Sequence, residues 1–185
     1  MSRRVSVLRI GHRLVRDDRV TTHSALVSRA FGAEAIYMTG VDISVRQTLE
    51  SVGKRWGGQF RVELINDWKA FARQWKNEGG RVVHLTMYGT ALSSGISKLN
   101  CKSNAGRNVL VIIGAEKVPR EAYDLADYNI SVGNQPHSEI AALAVFLDRL
   151  FSGAELSKKF GGAALRIVPS PRGKKVREAP RKSIN

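Results

Sequence analysis

Cysteine is nearly absent from this chain of 185 residues. Cys101 is the single one, so no intrachain disulfide can form and no cysteine-based zinc site can be assembled. The four histidines show no HExxH pattern and no closely spaced pair, and we therefore expect no metal. Apolar runs such as 109–113 are far shorter than the ~20 residues that cross a bilayer, and the run 5–10 is too short for a secretory signal. We expect a cytoplasmic protein without a membrane span.

Acidic residues are also scarce, because 16 Asp and Glu face 30 Lys and Arg and leave a formal charge of +14. A hydrophobic fraction of 43% with 25% charged residues is typical of a globular domain. Excess positive charge favours a polyanionic partner, nucleic acid before an acidic membrane surface. Arg9, Arg13, Arg16 and Arg19 are concentrated near the start of the chain. They are either a solvated face or, as we favour, part of an RNA-binding track.

Short β-branched runs alternate with longer amphipathic runs, a pattern that predicts βαβ units and a parallel sheet. The predicted strands are 5–10, 35–38, 60–64, 82–85, 109–113 and 127–132. Helices are predicted after an N-cap at Thr22, over 44–56, after a cap at Asp67, and from Pro136 onward. We interpret 86–95 as a loop, because it is rich in Gly, Ser and Thr.

The basic segment 166–185 has a different composition, with seven Lys or Arg and one acid. Pro171 and Gly173 occupy the second and fourth positions of a turn between short β-prone runs at 165–168 and 175–178, which predicts a hairpin. A disordered basic tail is the alternative.

Three glycine-bearing segments follow predicted strands four, five and six, where a parallel sheet binds ligands. No GxGxxG follows the first strand, 89–98 lacks the Gly-Lys-Ser/Thr ending of a phosphate loop, and no GxSxG elbow is present. A dinucleotide-dependent dehydrogenase, a P-loop NTPase and an α/β-hydrolase are all disfavoured.

Several blocks resemble one known family. These are LRIGHR at 8–13, RDDRVTTH at 16–23, HLTMYG at 84–89, GAEKVP at 114–119 and NISVGNQPHSE at 129–139. In order and in spacing they are similar to the archaeal tRNA (cytidine-56) 2'-O-methyltransferases, and the match runs from about residue 5 to residue 151. A chance match over separate blocks is remote.

The resemblance implies the SPOUT fold: a mostly parallel α/β sheet flanked by helices, with a deep carboxyl-terminal trefoil knot and a basic hairpin after it. It divides the chain into a methyltransferase domain over 1–155 and an extension over 156–185. It also implies a homodimer, S-adenosyl-L-methionine as methyl donor, and tRNA as substrate, with the target cytidine in the T loop where it pairs with the D loop. The alternatives are another tRNA or rRNA nucleotide as target, or a non-catalytic RNA-binding module.

The resemblance assigns cofactor contacts to the three glycine-bearing segments. The implied cofactor-binding residues are Leu85, Gly114, Ala115, Glu116, Lys117, Val118, Ile130, Ser131, Val132, Gly133, Asn134, Gln135, Pro136 and His137. The implied catalytic residues are Arg19, donated by the other subunit to stabilise the developing oxyanion, with Arg16 as second choice, and Asn134, which orients the ribose.

Some conspicuous side chains have a plain structural interpretation. His84 lies within an apolar strand and is interpreted as a core histidine. Trp68, Phe71 and Trp75 occur at helical spacing, and we interpret them as core residues and not as platforms for bases.

Overall fold

The computed structural model describes residues 3–11, 18–40, 43–115 and 117–179. It confirms the predicted parallel sheet. The six strands are β1 (Val5–Ile10), β2 (Ala35–Met38), β3 (Arg61–Leu64), β4 (Arg81–Ala91), β5 (Val109–Gly114) and β6 (Tyr128–Ser131). They lie side by side in the order β3-β2-β1-β5-β4-β6, and each neighbouring pair is parallel.

Within the described ranges, six α-helices cover the two faces of the sheet. They are α1 (Asp18–Ala30), α2 (Ile43–Trp56), α3 (Trp68–Asn77), α4 (Leu92–Asn100), α5 (Arg120–Leu125) and α6 (Glu139–Phe151). The core on one face includes residues of α1, α2, α4 and α6, and the core on the other includes residues of α3 and α5. The central strand β5 is almost entirely buried because it is covered on both sides.

Helix α3 forms as its sequence predicts. The Asp67 side chain accepts hydrogen bonds from the backbone N–H groups of Lys69 and Ala70, both at 2.9 Å. Trp68, Phe71 and Trp75 pack against the core on the α3 face. The interpretation of these aromatic residues as core residues is confirmed.

The prediction that Thr22 caps the first helix is wrong, because α1 extends back to Asp18. Two serine hydroxyl groups in this helix are satisfied within it. Ser24 Oγ donates to the carbonyl of Val20 at 2.9 Å, and Ser28 Oγ donates to the carbonyl of Ser24 at 2.7 Å. Hydroxyl residues that bond to the carbonyl four residues earlier are compatible with a helix interior.

The prediction of a loop over 86–95 is also wrong. Strand β4 continues to Ala91 and helix α4 begins at Leu92. The small residues here allow close packing: a Cβ on Gly89 would lie 2.6 Å from the backbone of Asn129 and Ile130, and one on Gly95 would lie 2.4 Å from Ile130 Cδ1. Glycine at these positions reflects tight contact with β6.

Two further differences concern helices near the carboxyl end of the sheet. Pro136 does not open α6, which begins at Glu139 after Ser138. Ser138 Oγ accepts a hydrogen bond from the N–H of Ile140 at 3.2 Å and so takes the capping role. Helix α5 was not predicted from sequence, since its six residues are too few to show a helical period.

The predicted hairpin is confirmed. Strands β7 (Leu165–Ile167) and β8 (Val176–Glu178) pair antiparallel. Backbone hydrogen bonds attach the segment before the hairpin to the end of α2, from the Gly58 N–H to the Gly161 carbonyl at 2.8 Å and from the Ala164 N–H to the Arg55 carbonyl at 3.1 Å. Gly58 has φ +86°, and a Cβ there would lie 2.7 Å from Phe160 Cδ1, so only glycine fits this junction.

Candidate functional site

A cavity of about 720 Å³ opens beside the middle of β4 and the carboxyl end of β5. Ligand pockets commonly have volumes of about 300–1,000 Å³, and parallel sheets bind ligands at the carboxyl ends of their strands. The residues that line this cavity are His84, Leu85, Thr86, Met87, Tyr88, Ile113, Gly114, Ala115, Lys117, Val118, Arg120, Tyr123, His137, Glu139 and Ala142. We call this the rim cavity.

Six of the sequence-predicted cofactor residues share the wall of the rim cavity. These six are Leu85, Gly114, Ala115, Lys117, Val118 and His137. Glu116 lies outside the described residues. The structure thus brings the middle of β4, the segment after β5 and the segment before α6 to one concave surface.

The predicted residues from 130 to 136 are not in the described wall of the rim cavity. Ile130 is fully buried in the core, and Val132 packs against the same core. Ser131 is buried and its Oγ accepts a hydrogen bond from the Gly133 N–H at 3.1 Å. Asn134, Gln135 and Pro136 are exposed.

Strand β4 carries a bulge over 86–89, because its pairing with β6 skips from Leu85 to Thr90, both of which lie opposite Ile130. We call these four residues the β4 bulge. Asn134 Nδ2 donates to the Met87 carbonyl at 2.7 Å, and Thr86 Oγ1 bonds to the Tyr123 hydroxyl at 2.9 Å. Asn134 is not itself a wall residue, but it holds the β4 bulge, which forms part of the wall.

His84 is fully buried, and its ring forms part of this wall. Its Nδ1 donates to Asn129 Oδ1 at 2.9 Å, and its ring makes an edge contact with Tyr123 at 4.6 Å between centroids. Burial lowers the pKa of His84, and the hydrogen bond with Asn129 opposes this only in part. His84 is buried as expected of a core histidine, but its ring also lines the rim cavity, and its Nε2 has no hydrogen-bond partner among the described residues.

Arg9 does not belong to an exposed RNA track, and that expectation is wrong for this residue. Its side chain is fully buried, Nη1 donates to the Gly11 carbonyl at 3.1 Å, and Nη2 lies 3.5 Å from Glu139 Oε1. Glu139 is 21% exposed and lines the rim cavity. The guanidinium holds a carboxylate at the cavity wall. Arg13 and Arg16 lie outside the described residues.

Arg19 is exposed in the first turn of α1, and in the described structure it is not in the wall of the rim cavity. Within one subunit the structure therefore does not bring Arg19 to the segments predicted to bind the cofactor. Exposed positive charge at the cavity comes instead from Lys117 and Arg120.

Several residues of the rim cavity wall were not predicted from the sequence. Arg120 and Tyr123 lie on the unpredicted helix α5, and Glu139 was not singled out. Thr86, Met87 and Tyr88 stood within the quoted 84–89 block, which was their available signal. Nothing in the sequence beyond their apolar character marked Ile113 and Ala142 as wall residues.

The described residues contain no group of His, Cys, Asp and Glu that could hold a metal ion. In the same ranges, no helix has both the length and the apolar character needed to cross a membrane.

Comparison with solved structures identifies the fold. The chain is similar to the A. aeolicus TrmH/SpoU tRNA modifying enzyme, with a TM-score of 0.60 and 12% identity over 84% of this chain and 78% of that one. It is also similar to the SpoU methyltransferase AviRb from Streptomyces viridochromogenes in complex with AdoMet, with a TM-score of 0.59 and 14% identity over 83% of this chain and 59% of that one. The predicted SPOUT fold is confirmed; its trefoil knot stays a prediction.

Comparison of sequences identifies the family. The family model "tRNA ribose 2'-O-methyltransferase, aTrm56" matches residues 56–177. The tRNA (cytidine(56)-2'-O)-methyltransferase of Thermococcus kodakarensis is 52% identical over 177 residues, covering 95% of this chain and 98% of the relative. The same enzyme of Cenarchaeum symbiosum is 55% identical over 175 residues, covering 95% and 97%. The chain belongs to the tRNA ribose 2'-O-methyltransferase family.

Proposed function

We propose that this protein transfers a methyl group from S-adenosyl-L-methionine to the ribose 2'-hydroxyl of cytidine 56 in the T loop of tRNA. The observation that carries the proposal is the rim cavity, where three matched sequence blocks supply wall residues. The name shared by the relatives at 52% and 55% identity supports the choice of nucleotide.

The rim cavity fits the methyl donor in size and in chemistry. Leu85, Ile113 and Val118 offer an apolar surface for adenine, while Gly114 lets the ligand approach the main chain closely. Glu139 offers a carboxylate to the positive end of the molecule. When bound, S-adenosyl-L-methionine supplies a methyl group already activated by its sulfonium.

The chain's own residues then have to align the ribose and assist loss of one proton. A guanidinium would stabilise the oxyanion that develops on the 2'-oxygen, and we assign this role to Arg19. Because Arg19 is outside the described wall of its own rim cavity, the assignment requires a second copy of the chain to supply it. We therefore propose a homodimer, acting in the cytoplasm, in which each site uses Arg19 of the other copy.

Asn134 has a positioning role in this proposal. Its amide is bonded to the Met87 carbonyl, so it fixes the bulge that forms one side of the cavity. The 130–136 segment, which begins in β6, supports the site from behind the wall. His137, the next residue, lines the cavity, and we assign it contact with the cofactor.

Positive charge supports binding of the tRNA backbone. A second concave surface of about 890 Å³ includes the cations Arg4, Arg29, Arg61, Lys158 and Lys159. The hairpin adds further basic residues, and we propose that 156–185 acts as an RNA-binding extension of the methyltransferase domain 1–155. The logarithm of the binding constant should fall linearly with the logarithm of the salt concentration, with a slope of roughly 0.7–0.9 per contacted phosphate.

The test is incubation of the full chain with labelled methyl donor and tRNA transcripts, followed by nucleotide mapping. We expect label on nucleotide 56 and none on a matched tRNA that carries 2'-deoxycytidine there, since that nucleotide lacks the acceptor oxygen. Label at another tRNA or rRNA nucleotide would leave the chemistry intact and change the substrate. Absence of cofactor binding by calorimetry would indicate an RNA-binding module.

A further inference from the structure

Tyr88 is unusual among the aromatic residues of this protein. Its side chain is 78% exposed, although it lines the mouth of the rim cavity. Every other aromatic side chain within the described ranges is buried or half-buried. Because ligand sites are lined largely by apolar and aromatic side chains, the place of this ring at the cavity, and not its exposure alone, makes it a candidate ligand contact.

The β4 bulge holds Tyr88 on a fixed backbone. The Tyr88 N–H donates to Thr86 Oγ1 at 3.4 Å, and Thr86 is itself bonded to Tyr123. The preceding carbonyl accepts from Asn134. The following residue, Gly89, lies against the backbone of Asn129 and Ile130. Residues on both sides of Tyr88 are thus anchored, and little backbone entropy remains to be lost when the ring binds a partner.

The surroundings of the ring suit a single nucleotide of RNA. Lys117 and Arg120 are exposed and line the same cavity. One nucleotide can therefore contact these cations through its phosphate and the Tyr88 ring through its base. Proteins recognise unpaired nucleotides by stacking bases on aromatic side chains and by placing cations along the backbone.

We propose that Tyr88 is the platform on which the base of the target nucleotide stacks while its ribose faces the rim cavity. This inference rests on the proposed function and adds a residue that selects an unstacked nucleotide. The base must leave its pairing and stacking partners in the tRNA elbow before the sugar can enter the cavity, and the Tyr88 ring replaces part of the stacking that it loses.

The experiment pairs the removal of the ring with the removal of the base. Wild type and Tyr88→Ala are assayed on intact tRNA and on tRNA with an abasic ribonucleotide at position 56, which keeps the 2'-hydroxyl. On intact tRNA we expect kcat/KM to fall about five- to a hundredfold in Tyr88→Ala, the range seen for loss of one base–aromatic contact. On abasic tRNA both proteins should react equally, because the base that the ring contacts is gone.

Two control variants separate stacking from other causes. Tyr88→Phe keeps the ring and should stay within about threefold of wild type on intact tRNA. Lys159→Ala removes an exposed charge from the second concave surface, so any loss should be the same on both tRNAs and should shrink at high salt. Cofactor affinity and the sedimentation coefficient of Tyr88→Ala should match those of wild type.

An equal loss on intact and abasic tRNA would overturn the proposal. So would a change in the oligomeric state of Tyr88→Ala, because the ring would then be covered by a second copy. If wild type methylates position 56 but Tyr88→Ala causes the same loss with and without the base, the stacking role of Tyr88 is refuted and the proposed function stands. If wild type methylates no tRNA, the proposed function fails, and this inference fails with it.

Discussion

Gly89 offers a direct test of how the β4 bulge depends on close packing. In Gly89→Ala the new methyl group would lie 2.6 Å from the backbone of Asn129 and Ile130. Main-chain atoms of a paired strand cannot rotate away as a side chain can, so β4 and β6 must separate. We place the cost near the upper end of the about 1–3 kcal/mol seen for overpacked cores.

A smaller effect in the unfolded chain opposes this cost. Alanine has less freedom than glycine in the unfolded state, which stabilises the folded protein by about 0.4–1 kcal/mol. The net loss is then about 2 kcal/mol, which corresponds to a fall in Tm of about 4–8 °C for a chain of this size. Because the displaced bulge lines the rim cavity, affinity for S-adenosyl-L-methionine should fall, about tenfold for every 1.4 kcal/mol of binding free energy that is lost.

Thermal unfolding at one protein concentration and calorimetry with the cofactor measure both effects. Gly53→Ala is the matched control: Gly53 lies inside α2, and a Cβ there meets nothing within 4 Å. That variant should gain about 0.5–1 kcal/mol, as expected for alanine in a helix interior. If Gly89→Ala melts with or above wild type and binds the cofactor equally well, close contact between β4 and β6 is not what shapes the site.

Three further predictions concern the catalytic arginine, the extension and the buried histidine. Arg19→Ala should lose turnover but keep cofactor affinity. Mixing it in equal amounts with a cofactor-site variant such as Gly114→Val should restore roughly a quarter of wild-type activity, because about half of the dimers are then mixed and each mixed dimer carries one complete site out of two. A mixture as inactive as its parents would remove Arg19 from the other subunit's site. Deletion of 166–185 should raise the KM for tRNA and flatten its salt dependence, since about six net positive charges leave; unchanged tRNA binding would show that the extension is idle. Because the pKa of His84 is lowered in the folded protein, the unfolded chain takes up a proton first as the pH falls. The free energy of unfolding should therefore decline as pH falls through about 6.5. His84→Asn should weaken this decline, and a profile identical to that of wild type would assign the decline to other groups.

Much of the sheet could be predicted because its signals are local. The strands 5–10 and 35–38 were predicted to the residue. Every residue of both strands is buried, as is typical of strands in a parallel sheet that is covered on both faces. The hairpin followed from Pro171 and Gly173 in the same way.

The errors arose where distant contacts decide the local structure. Gly89 and Gly95 are typical of a loop when only their neighbours in sequence are considered, yet both are small because Ile130 lies against them. Arg9 is charged and was expected on the surface, but Glu139, far along the chain, lies beside it. Helix α5 was missed because it is short, and two residues of the cavity wall, Arg120 and Tyr123, were missed with it.

The segment leading to the hairpin is attached through main-chain atoms at Gly58 and Arg55, while the tip residues Arg172, Lys174 and Lys175 are exposed. The main-chain joint and the basic tip therefore lie in different parts of the appendage. Protein engineers could vary the basic tip to strengthen or weaken the grip on polyanions, without rebuilding the joint that orients it.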